Sequence, residues 1–478
     1  MNAKREAKFI KIANLISDSI LNKTYTIGER LPSVRELCDK FSCSHMTAVN
    51  VYIELERRDL IETRPRSGHY VKDNQSSKTP LETLNKSKEN LESLSYSNLL
   101  AHLLETESAP QILPLGTAVR LESYLPLKKV INSVSLRQSS FMNLNGKYAY
   151  PPGEEGLRTE IAKRLQLREN NVSAADIITT FGATEALFLS LKLLTRPGDK
   201  VMVQVPCFFG THNIIDQLDL EVIEVHEKEN KINLKKIQSL LKKNPDIKAA
   251  IFQVNYNNPT GLTLSDEEKK KLFNLFHQYS IPLVEDDTYG ELSHQGKNLT
   301  NLKSYDHKNE LVFSCSSFSK TIGPGFRVGW AVVPKKYFNE YKRLKLATTF
   351  SGVIIHEKMI ENFLKDGHQY DRHLKKLNKS FEHNIEQITN YIETHLKDIV
   401  SINRPEGGFC LWLQLPKKVD SFELYRELIK KDVAISPGHI FSSNKTYKNC
   451  IRINCGISPD KKVEKAIILI KSQLELML

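Results

Sequence analysis

The chain has 478 residues, of which 40% are hydrophobic, and a formal net charge of +12. That length exceeds one ordinary domain and predicts a large unit plus at least one smaller one, with enough apolar content to bury a core. No apolar run approaches the length of a membrane span, and "MNAKREAKFIKIANLI" lacks a long apolar segment and a small-residue cleavage site, so a cytoplasmic protein with no membrane partner is expected.

The first segment carries apolar residues at Phe9, Ile12, Ala13, Ile16 and Ile20, spaced to line one face of a helix. "LPSVRELCDKF" announces a second helix: Ser33 can cap it, Glu36 can complete a capping box, and Val34, Leu37, Cys38 and Phe41 face inward. After the short turn "SCS" a third helix begins at Ser44, with Ala48, Val51, Tyr52 and Leu55 as its buried stripe and His45, Thr47 and Asn50 on the opposite face. "LIETRPRSGHYV" reads as two short strands around an Arg-Pro-Arg-Ser-Gly turn. Three helices and a two-stranded wing make a winged helix-turn-helix, expected over residues 1–73. Residues 1–72 hold thirteen Lys/Arg against nine Asp/Glu, a surplus that fits an anionic partner without requiring one.

Residues 74–111 are rich in Ser, Asn, Lys and Glu and are expected to form a linker, with room for a short amphipathic helix at 92–104. From 112 to 478 the texture changes to β-branched runs alternating with helical segments. "KVMVQVP", "KAAIFQVNY", "IPLVED" and "ELVFSCSSF" read as strands and "SDEEKKKLFNLFHQY" as a helix, an α/β pattern that predicts a mainly parallel sheet covered by helices. The seven cysteines form no CxxC pair and have no histidine at finger spacing, so neither a metal site nor a disulfide framework is expected.

In such sheets ligands bind beyond the carboxyl ends of the strands. After "IITTF" comes Gly182-Ala183-Thr184, a glycine turn opening into a helix whose N–H groups can seat a phosphate. "PCFF" follows "VMVQV", and "NNPTG", which exposes Asn258, follows "AAIFQVNY". "LVEDDTYGEL" ends a strand in acids, with Asp286 and Tyr289 three apart, and "SSFSK" ends the last in Lys320.

"NNPTG", "EDDTY" and "SFSKTIGPGFRVGW", in this order and spacing, resemble the pyridoxal-phosphate (PLP) aminotransferases of fold type I over roughly residues 112–478. "LPSVREL", "SCSHMTAVNVYIELE" and "ETRPRSGHYV" resemble the GntR-type winged helix-turn-helix. The two in this order resemble the MocR-type transcription regulators. The resemblance implies an aspartate aminotransferase-like domain with a smaller α+β subdomain from about residue 350.

It also implies roles. Lys320 would hold the PLP aldehyde as an internal aldimine, and Asp286 would keep the pyridine nitrogen protonated. Asn258 and Tyr289 would donate hydrogen bonds to the ring oxygen, and Phe208 would lie on the ring face. Gly182, Ala183, Thr184, Ser317 and Arg327 would hold the phosphate, with Tyr148 reaching the phosphate of the neighbouring subunit. Arg452 in "CIRINCG" would grip the carboxylate of an amino-acid ligand. On the DNA side the resemblance points to Arg35, to Ser44, His45 and Thr47 at the start of the recognition helix, and to Arg64, Arg66 and Gly68 in the wing. His45 stands where an arginine is frequent in the resembled domains.

The expected function is a PLP-dependent transcription regulator that senses a small amine or amino acid by aldimine exchange. The resemblance implies a domain-swapped, head-to-tail homodimer, which would act on double-stranded DNA with paired half-sites. Two alternatives stay open: a working PLP-dependent aminotransferase, for which no expected residue is missing, and a regulator that responds to PLP itself.

Overall fold

The computed structural model describes residues 8–65, 67–72, 96–107, 109–117, 122–135, 148–227, 231–365 and 368–478. The chain divides into two compact units, Met1–Ser93 and Leu94–Leu478.

The first unit contains α1 (Lys8–Leu21), α2 (Val34–Phe41), α3 (His45–Arg57), β1 (Ile61–Arg64) and β2 (Gly68–Val71). The expected capping box opens α2: the Glu36 N–H donates to Ser33 Oγ at 3.2 Å and the Ser33 N–H donates to Glu36 Oε2 at 2.6 Å. Ser42 in the left-handed region ends that helix, and Ser44 caps α3. The apolar stripes converge as the helical period requires, with Ile12, Ala13, Ile16, Leu37, Ala48, Val51, Tyr52 and Leu55 buried against Ile61 and Val71. The wing strands pair antiparallel, and Tyr52 stacks on His69 with centroids 3.9 Å apart, tying α3 to the wing.

The second unit begins with α4 (Tyr96–Glu107), so the expected linker 74–111 contains a helix whose Leu100 and Leu103 are buried. β3 (Leu113–Pro114) follows. The main sheet comprises β4 (Ile177–Thr180), β5 (Lys200–Val205), β6 (Glu221–His226), β7 (Ile247–Phe252), β8 (Leu283–Asp286), β9 (Val312–Ser317) and β10 (Gly329–Val332), in the order β4-β10-β9-β8-β7-β5-β6. β5 to β9 are mutually parallel where they pair, and β10 runs antiparallel to both β4 and β9.

Period-two alternation sends side chains to two separate cores, as expected for a sheet covered on both faces. Val201, Val203, Val205, Ala249 and Ile251 pack with the helix Ala183–Leu194, while Met202, Ala250 and Phe252 pack with the helix Asp266–Gln278. A smaller sheet is made by β11 (Ser401–Ile402), β12 (Cys410–Gln414), β14 (Ser436–Pro437) and β15 (Cys450–Asn454), in the order β11-β12-β15-β14, while β13 (Val433–Ala434) pairs parallel with β3. This matches the expected C-terminal α+β part. No helix among the described residues is long and apolar enough to cross a membrane.

Candidate functional site

β4 runs out at Thr180, and Gly182 at φ +85° turns the chain into the helix Ala183–Leu194. Glycine is required there twice over, by its left-handed backbone and because a Cβ would lie 2.8 Å from Arg327 Nη2. Gly329 at the start of β10 packs on the same turn, where a Cβ would come within 2.5 Å of the Gly182 carbonyl carbon. Arg327 donates to the Phe181 carbonyl at 2.6 Å, which sets its guanidinium beside the helix start. Ala183 is half-buried and Thr184 exposed. Ser317 is buried at the end of β9, where its Oγ accepts the Ser319 N–H at 3.3 Å. First-turn N–H groups have no intrahelical acceptor, so together with a guanidinium they form a seat for a dianion.

Asp286 ends β8 opposite Cys315 of β9, and Lys320 follows β9 by three residues. The lysine Nζ lies 6.0 Å from the Phe409 ring centroid. Burial pushes the Asp286 carboxyl above the usual carboxylate range, while the Thr288 N–H, donating at 3.0 Å, and the Lys320 charge pull it back. A carboxylate so placed favours a cationic ring nitrogen against it. Asp287, the next residue, is held by other partners, since Arg168 grips it bidentately, with Nη2 at 2.9 Å, and Asn301 donates to it at 3.2 Å.

Tyr289 is buried, packs on Phe409 at 5.4 Å, and has a hydroxyl without a hydrogen-bond partner among the described residues, with the Cys410 thiol beside it. Burial holds its phenol well above the ordinary value, so it remains a neutral donor. Asn258 is buried too, and its Oδ1 accepts from Arg452 Nη1 at 2.8 Å, leaving Nδ2 as the donor end. An aromatic ring with an oxygen acceptor, a basic nitrogen and a phosphate matches these groups, so the residues present fit PLP.

Arg452 on β15 is fully buried under the rings of Phe441 and Phe209, whose centroids lie 5.0 and 5.7 Å from its guanidinium carbon. Besides Asn258 it donates to the Gly116 carbonyl at 2.5 and 3.2 Å and to Ser436 Oγ at 3.1 Å. These acceptors are all neutral. Phe208 is half-buried before the helix Phe209–Gln217, tilted on Phe209 at 4.6 Å. Tyr148 keeps other company: it is exposed and clusters with exposed Tyr150 and Phe350, at 5.4 and 5.5 Å.

A hydrogen-bond chain behind Asn258 escaped the reading of the sequence. The Asn258 N–H donates to Gln253 Oε1 at 2.8 Å, the Gln253 N–H to Gln204 Oε1 at 2.9 Å, and Gln204 Nε2 to Glu227 Oε1 at 2.7 Å. Glu227, with one carboxylate oxygen buried and unpaired, is pushed by burial up to about 7. The available signal was a glutamine at the end of each of two apolar strands, "VMVQV" and "AAIFQV".

In the first unit Arg35, Ser44 and His45 are exposed and Thr47 is half-buried. Ser44 Oγ accepts the Thr47 N–H at 3.2 Å and lies 2.8 Å from Thr47 Oγ1, so these two hydroxyls shape the start of α3. That leaves His45 and exposed Met46, which sequence reasoning passed over, facing outward. Arg64 pairs with Glu62 at 2.6 Å and lies over Tyr70, and Gly68 at φ +123° has Arg30 Nε 3.1 Å from where its Cβ would be. Arg66 lies outside the described residues.

The family model "Aminotransferase class I and II" matches residues 121–469, and "Bacterial regulatory proteins, gntR family" matches residues 10–71. The chain belongs to the aminotransferase class I and II family by its large unit and carries a gntR-family domain in front of it, the two-part architecture of the MocR-type regulators. It is 31% identical to the uncharacterized HTH-type transcriptional regulator YjiR of Escherichia coli, over 96% of this chain and 97% of that protein. It is 27% identical to the HTH-type transcriptional regulator NorG of Staphylococcus aureus, over 92% and 98%. Among solved structures, the Pyrococcus horikoshii kynurenine aminotransferase shares the fold with a TM-score of 0.74 at 23% identity, over 83% of this chain and 98% of that one. The chain is thus a regulator with a helix-turn-helix and an aminotransferase-like domain.

Proposed function

We propose that this protein is a PLP-dependent DNA-binding transcription regulator whose large unit senses a small amine or amino acid. The observation that carries the reading is the presence, in one chain, of a capped recognition helix and of a large unit in which Arg452 donates to buried Asn258, Asp286 closes one strand of the main sheet and Lys320 follows the next. PLP, when bound, supplies an aldehyde and an electron-withdrawing ring. Lys320 would anchor the cofactor through its amine and give way to an incoming amine. Asp286 keeps a proton on the ring nitrogen, Tyr289 and Asn258 Nδ2 donate to the ring oxygen, and Arg327 with Ser317 and the Gly182–Thr184 turn holds the phosphate. Arg452 takes the carboxylate of the ligand, exchanging neutral acceptors for a charged one.

Occupancy moves the DNA-binding heads only if the ligand favours one arrangement over another. The exposed Tyr148, Tyr150 and Phe350 cluster supports a homodimer in which Tyr148 of the partner subunit completes the phosphate seat, with two heads on paired half-sites. A cytoplasmic location accords with a DNA partner.

The test is the visible spectrum of the PLP-loaded protein titrated with amines and amino acids, alongside affinity for its upstream DNA. A ligand that shifts the band stably and alters DNA affinity supports the sensor. Steady conversion to pyridoxamine phosphate, reversed by an oxo acid, would instead favour the aminotransferase. DNA affinity that follows PLP alone, and survives replacement of Arg452, would favour a regulator of the PLP supply.

A further inference from the structure

Arg452 is enclosed by neutral acceptors, yet a carboxylate stands directly behind one of them. Glu107, the last residue of α4, is buried, accepts the Thr117 N–H at 2.5 Å, and presents Oε1 so close to Gly116 that a Cβ there would collide with it. On its other side Gly116 turns its carbonyl to Arg452, and Ser436 Oγ donates to the same oxygen at 2.8 Å. Gly116 therefore touches both a buried carboxyl and a buried guanidinium, and a Cβ there would also meet the Ile435 backbone at 2.8 Å, so only glycine fits. Burial pushes the Glu107 carboxyl above the usual carboxylate range, while the Thr117 hydrogen bond and the Arg452 charge pull it back.

We propose that Glu107 is a counter-charge to Arg452 that the carboxylate of the ligand displaces, so that occupancy of the site is felt at the end of α4. The proposal rests on the sensing function argued above. A second anion brought to Arg452 repels Glu107 across Gly116 in a poorly screened interior. The Arg452 donors leave the Gly116 carbonyl for the ligand, and the Gly116-Thr117 segment loses its hold on both sides. α4 belongs to the same unit as Arg452, and loosening of its last turn is how occupancy of the site would be felt there. Glu107 is thus a positioning residue that selects for carboxylate-bearing ligands and transmits their arrival.

The experiment uses PLP-loaded full-length protein, wild type, Glu107→Gln and Glu107→Asp, with paired probes that differ only by the carboxylate: L-leucine with isopentylamine, and L-phenylalanine with phenethylamine. Visible-band titration reads affinity and hydrogen exchange reads α4. We expect Glu107→Gln to bind the amino acids about tenfold more tightly and the amines within twofold of wild type. Amino acids should speed exchange in α4 of wild type but not of Glu107→Gln, and Glu107→Asp should behave as wild type in sign. A merely structural role for Glu107 would weaken both probe types, and that result overturns the proposal. Band shifts with an α4 indifferent to the carboxylate would also overturn it while leaving sensing intact. If no probe shifts the band in any variant, the sensing function fails and this inference fails with it.

Discussion

Replacing Tyr289 by phenylalanine should weaken PLP binding with little effect on folding. The buried hydroxyl has no hydrogen-bond partner among the described residues, with the Cys410 thiol beside it. Under the proposed function it would donate to the ring oxygen, and a hydrogen bond of that kind is worth about 1 kcal/mol. Its loss should raise the Kd for PLP about fivefold. Titration of Tyr289→Phe with PLP measures the Kd, and urea unfolding checks that the variant stays within about 1 kcal/mol of wild type. A Kd within twofold of wild type, in a variant of unchanged stability, would refute the assignment of this hydroxyl to the ring.

Gly182→Ala places a methyl 2.8 Å from Arg327 Nη2 at a left-handed position, so affinity for PLP should fall about tenfold while that for pyridoxal, which lacks the phosphate, hardly changes in the same titration. Ser44→Ala removes the cap of α3 and should cost about 1 kcal/mol, seen as faster hydrogen exchange in that helix. His45→Ala should leave exchange unchanged but alter base preference in a DNA selection assay. Glu227 binds its proton more tightly in the folded protein, at about 7 against an ordinary 4.5, so its contribution is complete below pH 4.5 and is lost as pH rises through about 7. Glu227→Gln should flatten that decline in urea midpoints between pH 4.5 and 8, and an equally steep decline in the variant would exclude Glu227 as its source.

The winged unit was legible almost residue by residue, because a 3.6-residue stripe and a Ser33–Glu36 capping box are local signals. Strands β5, β7, β8 and β9 were legible because burial on both faces leaves β-branched runs with little polar interruption. β10 was not: "GWAV" is four residues long, and no local pattern records that it lies antiparallel between β9 and β4. The short helix allowed at 92–104 is observed as α4, Tyr96–Glu107, with Leu100 and Leu103 buried, so the linker reading failed where apolar residues follow the polar ones. The expected positions Asp286 and Lys320 stood out because one closes β8 and the other follows β9 by three residues. Gln204 and Gln253 did not, since a glutamine at a strand end means little until the neighbouring strand supplies its partner.

The place of β10 in the sheet also orders events during synthesis. Contacts within the winged helix span few residues, so that unit can fold as soon as its last strand, ending at Val71, leaves the ribosome. The packing of Gly182 against Arg327 is built on the β4–β10 pairing, so it has no existence until residue 332 has been made. A nascent chain therefore owns a finished helix-turn-helix unit long before the two ends of the β4–β10 pairing can meet.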